Sequence, residues 1–341
     1  MIFITGGTGL VGAHLLFELL QKGKKVRAMK RESSNLNMVK HIFNYYVSIA
    51  ESDRLFNEIE WVNGDILDIY SLLDLLDDVE TVYHCAAIIS FDPKDKERMI
   101  ADNVNGTANI VNACLEKKVN ALCHVSSIAA IGRDQTNHTV AEIDQWQHHP
   151  KISAYSISKY ESEREVWRAT AEGLNAVIVN PSIILGPGNW ESGSSKLFST
   201  LYKGLKFYTK GVTGYVDVRD VVKAMILLIE GKFYSERFIL NGDNLSYQEL
   251  FNMMAIGLNV KGPHILAKKW MIELVWRLEA VKGFLLKQKP LITRETAFTA
   301  NRQYHFSNEK LHRFIKFNYR PIQESIQDFS TMYLKDLNTK N

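Results

Sequence analysis

The chain is poor in covalent and electrostatic anchors. Only three cysteines, Cys85, Cys114 and Cys123, occur in 341 residues. An odd number cannot all pair internally, and their spacing fits no metal-ligand pattern, so reduced thiols and no metal site are expected. Charge is balanced: the net +3 contains no block of like sign, which argues against nucleic acid as a partner. Long apolar runs are missing too. The longest uncharged stretch, 173–190, carries Asn175, Asn180, Pro181, Gly186, Pro187 and Gly188, a poor membrane span and a good strand with a loop. There is no internal repeat and no low-complexity segment. The first strand-like run starts at Ile2 and meets a glycine loop at Gly6. That leaves no room for a charged leader, and a cytoplasmic protein is expected.

What is present is alternation. With 46% hydrophobic residues the chain can build one large core or two modest ones. Runs at 2–5, 25–29, 59–62, 80–85, 120–125 and 175–180 read as strands. Periodic segments near 10–22, 36–57, 68–77, 95–118 and 155–172 read as helices between them. This pattern predicts an α/β fold, a doubly wound parallel sheet of six or seven strands with helices on both faces. Residues 181–214 turn rich in Gly and Ser, 215–230 return to strand then helix, 236–241 is another strand, and the rest is mostly helical. The expected division is a Rossmann domain of 1–180 plus 213–242, with a smaller, mostly helical domain of 181–212 and 243–341. The segment 264–287 spaces Leu266, Trp270, Leu274, Leu278, Val281 and Leu285 along one helical stripe. It reads as a core-facing helix, a lid over an apolar substrate, or a membrane-surface helix with Lys268, Lys269 and Lys282 at the lipid boundary.

The first strand runs into GGTGLVG, where Gly6, Gly9 and Gly12 fit G-x-x-G-x-x-G. The first glycine permits a tight turn, the second lets backbone approach a pyrophosphate, and the third lets helix pack close to sheet. The helix N-terminus then offers unpaired N–H groups to phosphate. At the end of the second strand an NAD site would hold an acid. Here Lys30 and Arg31 stand in its place, and two cations suit the 2′-phosphate of NADP(H). Glu32 lies past the strand end. Asp65 either accepts a hydrogen bond from the adenine amino group or caps a helix starting at Leu67.

Tyr155 and Lys159 stand four apart in AYSISKY, which on a helix puts them on one face. Chance alone supplies about one such pair in a chain of this composition, and Tyr202 with Lys206 is a second. Context separates them. Tyr155 follows a glycine loop, a basic strand end and a Ser-Ser strand end, while Gly204 weakens any helix between Tyr202 and Lys206.

Taken together, the chain resembles the extended short-chain dehydrogenase/reductases, within the NAD-dependent epimerase/dehydratase family. The match spans TGGTGLVG at 5–12, GDILD at 64–68, HCAA at 84–87, NVNGT at 103–107, VSS at 125–127, YSISK at 155–159, NPSIILGPG at 180–188 and YVDVRDVVKA at 215–224. VRAMKR at 26–31 is most similar to the dihydroflavonol reductase-like branch, where Arg31 falls at the 2′-phosphate position. KPLITRE at 289–295 and YHFSNEKL at 304–311 also resemble 3β-hydroxysteroid dehydrogenase-like and sugar-epimerase-like bacterial members. The resemblance implies a catalytic triad of Ser127, Tyr155 and Lys159. Tyr155 would protonate a carbonyl oxygen, Lys159 and the cationic oxidised nicotinamide would lower the tyrosine pKa, Lys159 would also bind the nicotinamide ribose, and Ser127 would hold the oxygen. Ser126 competes with Ser127, which fits better because Gly132 follows five residues later. Thr8, Leu10 and Val11 of the glycine loop, Ile66 beside Asp65, Ala86 and Ala87, and Pro181 and Ser182 would complete the cofactor site.

In nucleotide-sugar enzymes of the family, an Asn and an Arg touch the sugar nucleotide where this chain has Ile183 and Thr213. Their loss, with Ile184 and Trp190 nearby, implies a less polar pocket. The reading is an NADP-dependent oxidoreductase reducing a ketone or aldehyde of a small, rather apolar substrate. A nucleotide-sugar epimerase or dehydratase, or a non-catalytic NADP-binding protein, are the alternatives. A monomer, or a homodimer through 95–118 and 155–172, is expected, with peripheral membrane contact open. His148-His149 before Pro150 reads as a loop, and Arg219-Asp220 as an ion pair or helix cap. Tyr215 faces substrate or packs on the sheet; Asn103 bonds backbone near the site or is a plain helix residue.

Overall fold

The computed structural model describes every residue except 91, 133–138, 148–151, 269, 275, 278–300 and 341. His148, His149 and the KPLITRE segment therefore lie outside the described residues, as do 278–287 of the expected apolar stripe. The first half alternates strand and helix: β1 Ile2–Thr5, α1 Leu10–Gln21, β2 Val26–Lys30, α2 Leu36–Phe43, α3 Ile49–Asn57, β3 Glu60–Asn63, α4 Ile69–Leu75, β4 Thr81–His84, α5 Lys96–Glu116, β5 Ala121–Val125, β6 Thr139–Val140, α6 Ala154–Ala171 and β7 Ala176–Pro181. The rest comprises β8 Ile183–Leu185, α7 Lys196–Tyr202, β9 Phe207–Tyr208, β10 Val212–Asp217, α8 Val218–Glu230, β11 Glu236–Leu240, β12 Asp243–Ser246, α9 Tyr247–Leu258, β13 Ile265–Leu266, β14 His305–Phe306, α10 Glu309–Phe314 and α11 Ile322–Lys340.

Seven strands form one sheet in the order β11-β7-β5-β4-β1-β2-β3, every neighbour parallel. The order reverses between β1 and β4, which opens a crevice at the carboxyl ends of these strands. Alternation decides which side chain faces which layer. Ile4, Ala28, Tyr83, Cys123, Val177 and Phe238 face α1 and α8 through Leu15, Leu16, Val221 and Met225. Phe3, Val82, Leu122 and Ile178 face α4, α5 and α6 through Leu72, Ile110, Val111 and Val166. Each such buried aliphatic contributes about 1.5–3 kcal/mol relative to exposure. A third cluster joins Trp190, Phe198, Tyr215, Leu250, Met254 and Phe329 of the α7, α9 and α11 region.

Three expectations change. The periodic segment 36–57 is two helices, capped separately by Asn35 and Ser48. The helix expected from Leu67 starts at Ile69, because the Asp68 carboxylate takes the N–H groups of Tyr70 and Ser71. Within 264–287, residues 265–266 form a strand, and Trp270 and Leu274 are 64% and 50% exposed. Over its described part that stripe does not face the core.

Candidate active site

The crevice end of β5 carries the first group. Ser127 follows in extended backbone (φ −165°, ψ 156°), and its Oγ accepts the Ala129 N–H. Opposite it, α6 starts at Ala154, with Ser153 Oγ accepting the Ser156 N–H at 2.9 Å. Tyr155 thus sits in the first helical turn, where the dipole favours negative charge. Burial raises the Tyr155 phenol above its ordinary range, while a hydrogen bond with the Ser127 side chain acts against it. One turn on, Lys159 is buried and donates from Nζ to the Val125 carbonyl at 2.9 Å. Burial pushes its ammonium down to about 8, opposed by Glu163 and Cys85. The Lys159 ammonium is turned to the Val125 carbonyl, and burial dominates at the phenol.

Ser126 and Ser127 are neighbours in extended chain and point to opposite sides. Ser126 is 4% exposed and its side chain is turned to Glu163 of α6, whereas the Ser127 side chain hydrogen-bonds Tyr155. Gly132 is needed for space: a Cβ there would sit 1.9 Å from the Gln145 carbonyl oxygen. The second Tyr-x-x-x-Lys differs. α7 ends at Tyr202, Gly204 has φ +98°, and Tyr202 and Lys206 share no helix.

The glycine loop follows β1, which β4 separates from β5 in the sheet. Gly6 adopts φ +69°, and a Cβ there would fall 2.6 Å from the Ala86 nitrogen. The loop thereby touches the HCAA segment at Cys85 and Ala86. Gly9 caps α1 without any side-chain bond, unlike α2, α6 and α8, which Asn35, Ser153 and Asp217 cap. The leading N–H groups of α1 therefore remain open to an anion. At the end of β2, Lys30 Nζ bonds Asn63 Oδ1 at 2.7 Å, and Arg31 is exposed. Asp65 is exposed and accepts the Leu67 N–H at 3.0 Å, beside Ile66. Pro181 and Ser182 close β7, with the Ser182 N–H on the Leu240 carbonyl at 3.0 Å.

Other residues resolve clearly. Asn103 bonds backbone: its Oδ1 accepts the Ile88 N–H at 2.7 Å and its Nδ2 donates to the Ile88 carbonyl at 2.9 Å, which pins the chain after β4. Tyr215 is fully buried in the third cluster. Arg219 pairs with Asp217 and Asp328, while Asp220 accepts the Arg320 N–H. Trp190 is buried in the third cluster. Its ring packs on Phe198 and Tyr333, and its Nε1 donates to Asp336 Oδ2 at 2.7 Å. Among the described residues no His, Cys, Asp and Glu group could hold a metal ion.

Sequence reading missed a buried polar layer beneath the triad. His84 bonds Thr5 at 2.7 Å and Thr107 at 3.1 Å. His124 lies beside it, ring centroids 5.2 Å apart. Asn180 and Glu163 are buried together at 2.5 Å. These groups come from β1, β4, β5, β7, α5 and α6 and meet only in the folded chain, so no local pattern announces them.

A model of the NAD dependent epimerase/dehydratase family matches residues 2–238. The chain belongs to this family. Its members bind NAD(P) and include reductases and epimerases. A Synechocystis protein provisionally named dihydroflavonol 4-reductase is 31% identical over 289 residues, 82% of this chain and 79% of that one. Cinnamoyl-CoA reductase 1 of Petunia hybrida is 28% identical, covering 70% and 72%. Among solved structures, the UDP-glucose 4-epimerase of Thermotoga maritima with UDP-glucose superposes with a TM-score of 0.76 at 20% identity, covering 98% and 99%. That likeness concerns the fold. No helix among the described residues is long and apolar enough to cross a membrane.

Proposed function

We propose that this member of the epimerase/dehydratase family uses NADPH to reduce the ketone or aldehyde of a small, rather apolar molecule, or runs the reverse oxidation. The observation that carries the reading is the hydrogen bond of Tyr155 with Ser127 after β5, with buried Lys159 one turn on along α6; the N-terminus of α1 after the glycine loop, which its N-cap residue does not cap by a side chain, supports it. The reductase names of its relatives support it. Residues 1–180 with 213–242 would hold the cofactor, and the remainder the substrate.

NADPH supplies the hydride when bound. The residues fit it: Gly6 lets the loop turn at positive φ against the Ala86 backbone, and the N–H groups of Leu10, Val11 and Gly12 suit the pyrophosphate. Arg31, exposed and with Lys30 beside it, suits the 2′-phosphate. Tyr155 keeps its proton at neutral pH and gives it to the carbonyl oxygen as that oxygen gains charge. Ser127 hydrogen-bonds the same oxygen. Lys159, an ammonium below about pH 8, steadies the phenolate left behind. Ile183 and Thr213 offer neither amide nor cation to a nucleotide diphosphate.

Fluorescence titration should show NADPH binding well ahead of NADH, with Arg31→Ala costing NADPH about tenfold or more in affinity. Equal affinities for the two cofactors would remove the basis for NADP.

A further inference from the structure

Glu163 stands one turn beyond Lys159 on α6 and is 1% exposed. Oε1 accepts Asn180 Nδ2 at 2.5 Å, and Oε2 lies 3.3 Å from Arg237 Nη1. Asn180 Nδ2 also donates to the Ser127 carbonyl at 3.0 Å. Arg237 is itself fixed, its Nε donating to the Glu142 carbonyl at 2.9 Å. A continuous path therefore runs from β11 through Glu163 and Asn180 to the backbone of Ser127, passing beside Lys159. A buried carboxylate without a function in the fold would be costly. This one has bonds from both sides and a buried ammonium one turn away.

We propose that Glu163 is a positioning residue of the active site: its carboxylate holds Lys159 in the charged form, and its bond to Asn180 keeps Ser127 facing Tyr155. The proposal deepens the reductase reading and rests on it for the consequence to catalysis. Lys159 faces few other charges. His84 and Cys85 approach from β4, His124 from β5, and Tyr155 from its own helix. Burial keeps both histidines neutral, His84 down to about 3 and His124 well below its usual range, and raises the Cys85 thiol to about 12. None of these groups carries charge near neutral pH, which leaves Glu163 as the counter-charge. Burial raises the Glu163 carboxyl itself, against the Ser126, Arg237 and Asn180 side chains that favour its ionised form.

The sign follows. Lys159 loses its proton as pH rises through its midpoint, and a nearby negative charge raises that midpoint. Glu163→Gln keeps an oxygen for Asn180 and removes the charge. The Lys159 midpoint should fall by about one pH unit, and the alkaline limb of carbonyl reduction with it. At pH 8 that is roughly a fivefold loss, with little change at pH 6. Glu163→Asp should restore most of the limb. Nitrogen NMR titration of lysine-labelled protein reads the Lys159 midpoint directly, whatever the activity. Arg237→Gln, at a partly exposed side chain that favours Glu163 ionisation, should move the midpoint the same way and serves if Glu163→Gln does not fold. An unchanged midpoint in the folded variants would overturn the proposal. A midpoint that falls in a protein that reduces no carbonyl would sink the reductase reading and keep the charge role of Glu163.

Discussion

At the residue scale, the two Tyr-x-x-x-Lys pairs show what separates a site from a coincidence. Tyr155 and Lys159 share α6, and both are drawn into the crevice end of the sheet, whereas Tyr202 is 42% exposed at the end of α7. Sequence order alone pointed to this, through the Ser-Ser strand end and the glycine loop. It could not show that Lys159 bonds Val125, since that contact depends on how closely α6 lies against β5. Nor could it place Trp190, whose partners Asp336 and Tyr333 are more than a hundred residues away. Tyr155→Phe removes the only proton that the account gives to the carbonyl oxygen. It should lower turnover by about a hundredfold or more and leave NADPH affinity within a fewfold of the parent. Steady-state assays and fluorescence titration read the two effects separately, and surviving turnover would require another proton donor.

At the element scale, most of the sheet was legible because its strands are short apolar runs with helical periodicity between them. β1, β2, β4, β5, β7 and β11 all lie within a residue or two of their expected bounds. The break between α2 and α3 was missed, although Ser48 with Glu51 is a helix-start signal that hydrophobic periodicity alone does not detect. The glycine loop carries the sharpest steric demand. Gly6 needs positive φ and has backbone of Cys85 and Ala86 where a Cβ would go. Gly6→Ala should therefore cost about 2–3 kcal/mol or more in denaturant melts and weaken NADPH binding further. A variant with parental stability and parental affinity would show that the loop turns differently.

At the scale of the whole molecule, one carboxylate joins distant parts of the chain. Asp336 of α11 accepts Trp190 Nε1 at 2.7 Å, His41 Nε2 at 2.9 Å and the Tyr45 hydroxyl, fastening the C-terminal helix to the chain around α2. Burial works to raise its pKa, but the bonds from His41, Tyr45 and Trp190 outweigh it and hold the carboxyl below its ordinary 3.8. A depressed acid stabilises the fold above its unfolded pKa and loses that contribution as pH falls through the folded one. Asp336→Ala should cost about 2–4 kcal/mol at neutral pH, with the difference from the parent shrinking as pH falls through the lowered Asp336 pKa; urea melts across an acidic pH series check both. Nothing local marks Asp336, so this tie was not readable before the fold. The central claim, carbonyl reduction by NADPH at Ser127, Tyr155 and Lys159, is tested most directly by following NADPH absorbance against a panel of small apolar and aromatic ketones and aldehydes. The account predicts NADPH consumed one for one with alcohol formed, and no comparable consumption by Tyr155→Phe. Conversion of a nucleotide sugar with no net change in NADPH would contradict it.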